Sequence, residues 1–371
     1  MKGNFVSFDP HREKLQRIGL RYAQELENQN ITVDITSLPS LARVIQRYAN
    51  DFNITDSERA FSLVNDAAVD IDYVLPFEEN PNKAQRLIKK NFSRLQEAIT
   101  LDKNCFDAER MLAASDCESA HDFHMYLKER GKEVRAYCIE QCEAERRHLW
   151  RSSDTQKLAE RLAISPYLRW LAFEAQIALV CGRAQDVFAL CQEAYELDKQ
   201  DQAGIRYTEA LAYAVQEDLQ GLEAMEERVV YSLWQNGRDA WMQLAFLACA
   251  YKDGQMDYAK DLLKRLIASY PNAVNTLLYQ NEIPYGVFSR IITQPKSEDE
   301  MILATSEAGV LLNEGSGDEF FGALGLWIFH QCEALDPETA TKVRKMRETQ
   351  QKDDTPGWYI QRRSSPRGDR S

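Results

Sequence analysis

Ala98-Ile99-Thr100-Leu101-Asp102-Lys103 and Ala194-Tyr195-Glu196-Leu197-Asp198-Lys199 are one phrase written twice: a helix end, an aspartate, then a restart. A third stretch, Ala259 to Pro271, closes a helix in a similar way. Self-similarity of this kind marks stacked helix pairs, in which no single pair can bury its apolar face alone.

The clearest pair lies just before the second copy. Tyr167 to Val180 reads as a first helix, Gly182 as the turn and Gln185 to Leu197 as a second helix. Glycine at 182 accepts a positive φ and lets the two helices approach. A second pair runs from Gln202 through Glu217-Asp218 to Val230, and a third from Asp239 through Gly254 to Tyr270, closed by Pro271. The turns at Gly182, Glu217 and Gly254 are 35 and 37 residues apart. That is close to the period of about 34 residues of tetratricopeptide units.

Further out the pattern loosens. Leu87, Phe92, Leu95 and Ile99 share a face of a helix ending near Leu101, where Asp102 breaks it and caps the next, which carries Phe106, Met111 and Leu112. Asp122 to Arg130 and Lys132 to Trp150 read as helices with Gly131 interrupting them. Before the array, helices are expected over His11–Glu27, from about Ser37 (with Leu41, Val44, Ile45 and Tyr48 buried), and from Thr55, where Thr55-Asp56-Ser57-Glu58 has the form of a capping box. Pro76 and Pro81 bracket a loop. After the array, Asn281 to Ser297 reads as a long connection. Glu298–Leu312 and Glu319–Ala334 are helices joined by Gly315-Ser316-Gly317, with close backbone approach at Gly322 and Gly325. Pro337–Thr349 is a polar helix and the rest a flexible tail. The expected organisation is therefore helices over 1–76, repeats over 82–280, capping helices over 281–349 and a tail over 350–371.

The 371 residues include 45 basic and 58 acidic ones, a net charge of -13. Nucleic-acid backbones are bound by clustered Lys and Arg, so nucleic acid is not an expected partner. No stretch approaches the roughly 20 apolar residues of a membrane helix, and the first ten residues show no apolar signal core. The eight cysteines follow no framework spacing, so reduced thiols in a cytoplasmic protein are expected.

Ser165-Pro166-Tyr167-Leu168-Arg169, Gly182, Tyr195-Glu196-Leu197-Asp198 and Asp201-Gln202-Ala203-Gly204-Ile205-Arg206-Tyr207 together resemble the tetratricopeptide-repeat proteins related to the suppressor-of-tumorigenicity family, in their bacterial-type members. The resemblance covers roughly Ala84 to Leu278. Lys103 and Lys199 stand where that pattern places a helix-ending proline, and Val187 and Leu222 where it places a small residue. The resemblance implies an all-α fold, a degenerate tetratricopeptide-like helical-repeat superhelix, acting as an interaction scaffold.

In such stacks the first helices of each pair line a concave face. Arg169, Trp170, Glu174, Arg206, Tyr207, Trp241 and Gln243 are the candidates there for gripping a protein or peptide, since Trp, Tyr and Arg dominate interface energies. The competing reading is that Trp170, Tyr207 and Trp241 pack between repeats and that Arg206 bonds the carbonyl end of a neighbouring helix. Cys117, His121 and His124, which Cys138 and Cys142 on one helix face could meet, raise a zinc alternative, although structural zinc wants four ligands. No nucleophile elbow, phosphate-cradling glycine loop or metalloprotease motif is written in the chain. The expected function is a non-enzymatic scaffold or adaptor without cofactor. The alternative is a ligand- or peptide-sensing regulator with the N-terminal helices as the output, in which Arg43 and Arg47 are too few to make a DNA-recognition helix. The basic end Arg362 to Arg370 reads as a solvated flexible end, with docking on an acidic surface as the alternative, and the Trp358-Tyr359 pair is expected to pack back on the array or on a partner.

Overall fold

The computed structural model describes residues 10–30, 55–75, 78, 80–230, 237–282 and 293–352. Within these residues every regular element is helical: sixteen α-helices and one π-helical turn. The expected helix from Ser37, most of the 281–297 connection, Arg43, Arg47, Trp358, Tyr359 and the basic end lie outside the described residues. Contacts divide the described chain into two compact units, residues 10–174 and residues 175–352. The division falls inside one helix and so cuts across the 82–280 stretch.

The N-terminal unit holds α1 (Pro10–Asn28), α2 (Asp56–Val69) running into the π turn Asp70–Val74, α3 (Pro81–Leu101), α4 (Phe106–Asp116), α5 (Ala120–Arg147) and most of α6 (Ser153–Val180). The capping box forms as read: Thr55 Oγ1 accepts from Glu58 N at 3.2 Å, and Glu58 Oε2 accepts from Thr55 N at 2.8 Å. Asn80 caps α3 with Pro81 at its first turn, where a missing N–H costs nothing. α2 packs on α1 and α3, α3 on α4, and α4 on α5.

Two expectations fail here. Gly131 does not interrupt a helix; α5 is continuous from Ala120 to Arg147. The glycine is there for room, because a Cβ on it would lie 3.0 Å from Trp170 Nε1. Nor does the first helix begin at Tyr167; it runs from Ser153 to Val180 as the 28-residue α6, with Pro166 inside it. A proline in a helix leaves the carbonyl four residues back without its donor. That carbonyl is Leu162 O, and Arg17 Nη2 donates to it at 3.3 Å.

The C-terminal unit continues with α7 (Ala184–Leu197), α8 (Ile205–Val215), α9 (Leu219–Val230), α10 (Ala240–Lys252), α11 (Met256–Ser269), α12 (Ala273–Tyr279), α13 (Glu298–Glu307), α14 (Gly309–Leu312), α15 (Ala323–Glu333) and α16 (Pro337–Lys352). Its three expected turns are the same object. Gly182 N donates to Leu179 O and Arg183 N to Ala178 O; Glu217 N to Ala214 O and Asp218 N to Tyr213 O; Gly254 N to Tyr251 O and Gln255 N to Ala250 O. This paired pattern is a Schellman helix end, which needs one left-handed residue. The φ values are 71° at Gly182, 58° at Glu217 and 72° at Gly254.

The doubled phrase also keeps its shape. Asp102 and Asp198 leave their helices at φ, ψ of -142°, 105° and -138°, 98°, with N–H groups donating to Ala98 O and Ala194 O. Each carboxylate then accepts the amide two residues on, Asn104 N and Gln200 N, both at 2.9 Å. Asp102 therefore turns the chain and does not cap α4, whose N-cap is Cys105.

α8 packs against α7, α9 and α10; α10 packs against α8, α9, α11 and α13. Every residue of α10 from Ala240 to Ala250 is buried. The later helices also depart in detail: Glu298–Leu312 breaks at Ala308 into α13 and α14, and α15 starts at Ala323. Close approach at Gly322 and Gly325 holds, since added Cβ atoms would sit 2.4 Å from Asn313 C and 2.6 Å from Leu312 O.

Candidate functional site

Helices α8, α10 and α13 bring their N-terminal ends to one edge of the C-terminal unit. Asp201, itself in a left-handed conformation, reaches forward to cap α8: Oδ1 accepts from Ile205 N at 2.8 Å and Oδ2 from Arg206 N at 3.3 Å. Asp239 Oδ1 caps α10 through Met242 N at 2.9 Å. Glu300, from the first turn of α13, accepts from Ala240 N at 2.8 Å and so satisfies a second exposed amide of α10. Carboxylates at these positive helix ends are favourable on both hydrogen-bond and dipole grounds.

Arg206 ties the caps together. Its Nη1 meets Asp201 at 2.8 Å, its Nη2 donates to Tyr207 Oη at 2.6 Å, and its Nε lies 3.8 Å from Asp239 Oδ2. The guanidinium stands 4.1 Å from the Tyr207 ring centroid, and that ring stacks on Trp241 at 3.9 Å and 17°. A cation, a phenol and an indole thus form three layers, with Trp241 Nε1 held by Glu307 at 2.6 Å. Behind them Lys296 Nζ donates to Tyr270 Oη at 3.1 Å and to Arg238 O, while Tyr270 donates to Glu300.

Burial pushes the Asp239 carboxyl up to about 6, with Glu300 adding to the rise and Arg206, the Met242 amide and Lys296 opposing it. Burial pulls Lys296 down, against the attraction of Glu300 and Asp239. These groups spend their charges on one another. Chemically the edge is a rigid ledge whose outer parts are the half-buried Arg206 and Tyr207.

The sequence candidates fall in three places. Arg206, Tyr207, Trp241 and Gln243 come together here, but only the first two reach the surface. Trp241 is 1% exposed, and Gln243 donates to Arg238 O at 3.0 Å. Both belong to α10, which neighbours enclose, so they do not line an open groove. Arg206 bonds capping carboxylates and a phenol, and not the carbonyl end of a helix that the competing reading gave it.

Arg169, Trp170 and Glu174 lie in the other unit and are buried. Arg169 donates to Asp107 at 2.9 and 2.6 Å and to Glu13 at 2.7 Å; Arg110 meets Asp107 at 2.8 Å. Burial acts to raise the Asp107 carboxyl, but Arg169 and Arg110 outweigh it and hold it below its ordinary range. Trp170 is fully enclosed and donates to Leu127 O at 3.0 Å. A charge or indole so placed joins α1, α4, α5 and α6 and is out of a partner's reach.

The zinc alternative places Cys117 half-buried, His121 exposed and His124 buried. Among the described residues no group of three side chains is arranged to hold a metal ion. Cys105 and Cys138 are pushed up to about 12, chiefly by burial, so they are unreactive thiols. Among the described residues no helix is long and apolar enough to cross a membrane.

Asp201, Tyr270, Lys296 and Glu300 were not candidates. Asp201 had a local signal, an acid four residues before Ile205; Glu300 had none, since it serves a helix 60 residues away. No family model, curated protein or solved structure matches this chain.

Proposed function

We propose that this chain is a non-enzymatic, protein-binding scaffold built on tetratricopeptide-like helix pairs. The reading rests on one observation: three Schellman ends recur at positions 182, 217 and 254, and the helices joined at 217 and at 254 pack side by side. Paired-helix stacks of this kind bind partners along extended surfaces. The partner is a protein segment, and it engages the ledge at the starts of α8, α10 and α13. There Arg206 and Tyr207 are held stiffly, so little side-chain entropy is lost when they are covered.

Crosslinking in the native cells identifies the partner, and hydrogen–deuterium exchange on the reconstituted full-length complex locates it. Protection is expected at 199–207 and 237–240. A partner that leaves both segments unchanged removes the ledge from the reading, and a partner that cannot be found by crosslinking at any site removes the scaffold itself.

A further inference from the structure

Helix α3 is out of character with the chain that carries it. In a protein of net charge -13 its 21 residues hold Lys83, Arg86, Lys89, Lys90 and Arg94 against one acid, Glu97. Lys90 and Arg94 turn to Asp70 at 3.3 and 2.8 Å, and Lys83 lies 4.0 Å from Glu78. Arg86 and Lys89 are exposed and make no ion pair among the described residues.

The apolar pattern of α3 is also wider than its core. Ala84, Asn91, Leu95 and Ala98 are buried, in a helix that packs on α2 and α4. Ile88 and Phe92, one turn apart on the flank of that stripe, stay 42% and 39% exposed. Val74, at the end of the π turn that packs on α3, is 39% exposed. The exposed large hydrophobic side chains elsewhere, such as Leu149 and Leu335 in connections and Met125 and Tyr258 in other helices, stand singly. Round the helix from Ile88 and Phe92, Lys89 borders the apolar strip and Arg86 follows beyond it towards the far face, so exposed cations lie on the open side of the strip.

We propose that the outer face of α3 is a second docking surface, for an acidic amphipathic segment of a partner protein. The apolar strip takes the segment's apolar side chains, and Arg86 and Lys89 pair with its carboxylates. A lipid surface fits less well. The main apolar face of α3 is already used inside the protein, which leaves little to insert. A membrane plane also meets the whole acidic molecule, whereas a segment lying along one helix is screened from charges beyond about 8 Å. This surface lies in the N-terminal unit and does not depend on the ledge.

The test uses the full chain and a fluorescein-labelled synthetic helix of glutamate, leucine and phenylalanine, followed by anisotropy. The wild type should bind it, more weakly as salt rises, and should ignore the same peptide with lysine for glutamate. Ile88→Ser/Phe92→Ser and, separately, Arg86→Glu/Lys89→Glu should each weaken binding about tenfold, the size of a lost anchor or charge pair. The second variant changes only exposed groups and is read at an unchanged melting temperature, so misfolding of the first leaves the test intact. Peptide binding indifferent to both variants overturns the proposal. So does sedimentation with phosphatidylserine vesicles, or dimerisation, that is lost in Arg86→Glu/Lys89→Glu while the peptide does not bind.

Discussion

In the C-terminal unit the joints that end the paired helices are local: Schellman ends at 182, 217 and 254, and an Asx turn at 198, each made by groups within about five residues. In the N-terminal unit the central joint is long-range. Arg169 reaches Asp107 across 62 positions and Glu13 across 156. Local joints repeat because each needs only a few residues; the Arg169 joint does not repeat because three distant residues must agree. The first kind sets where helices end, the second which helices meet.

The largest effect should come from cutting the long-range joint. Arg169→Met removes the guanidinium shared by Asp107 and Glu13, leaving these buried carboxylates only Arg110 and Arg17 as cationic partners, and should cost about 3 kcal/mol. Melting of the full chain by circular dichroism measures it. Replacing Glu13, Asp107, Arg110 and Arg169 together with apolar residues, so that no buried partner loses its counter-charge in the cluster, should restore most of that loss; if it does not, the cluster does more than satisfy itself.

A smaller effect probes the ledge. Asp239 keeps its proton to about pH 6, against 3.8 in the unfolded chain. The fold therefore binds the extra proton, and the stability this gives is full below about pH 4 and lost as pH rises through 6. Asp239→Asn keeps an oxygen for the Met242 amide without the buried charge. It should raise stability at pH 8 by about 2 kcal/mol and leave it nearly unchanged at pH 4. An equal shift at both values breaks the account.

The smallest effect tests whether the three turns are one object. Glu217 sits where the other two turns have glycine, and its contact with Lys252 is at 3.8 Å on an exposed side chain. Glu217→Gly should gain about 0.5–1 kcal/mol by relieving the left-handed backbone, and Gly182→Ala or Gly254→Ala should lose about 1 kcal/mol. Urea unfolding of the three variants ranks them.

The same contrast explains what could be read without coordinates. Gly182, Gly254 and the Thr55 capping box announce themselves, because their chemistry is complete within a short window. Even Glu217, without glycine's freedom, was placed by its spacing. Gly131 misled, since a glycine cleared for a distant Trp170 is written like one that breaks a helix. Pro166 misled for the same reason: Arg17 accepts the burden of its missing donor from another helix. The ledge was half legible. Arg206, Tyr207 and Trp241 carry the residue types of a surface, but nothing nearby tells that α10 is enclosed and that Trp241 stacks inward.

That enclosure bears on how this chain could change over time. An array whose units meet only their neighbours can be lengthened by copying a unit. Here α10 is wrapped by helices on either side of its own pair and by α13. A duplicated pair inserted after α11 would have to displace α13 and with it the Glu300 cap on Ala240. The three pairs are repeats in their joints and a closed set in their packing, so descendants of this chain should vary in residues and surface, and not in the number of pairs.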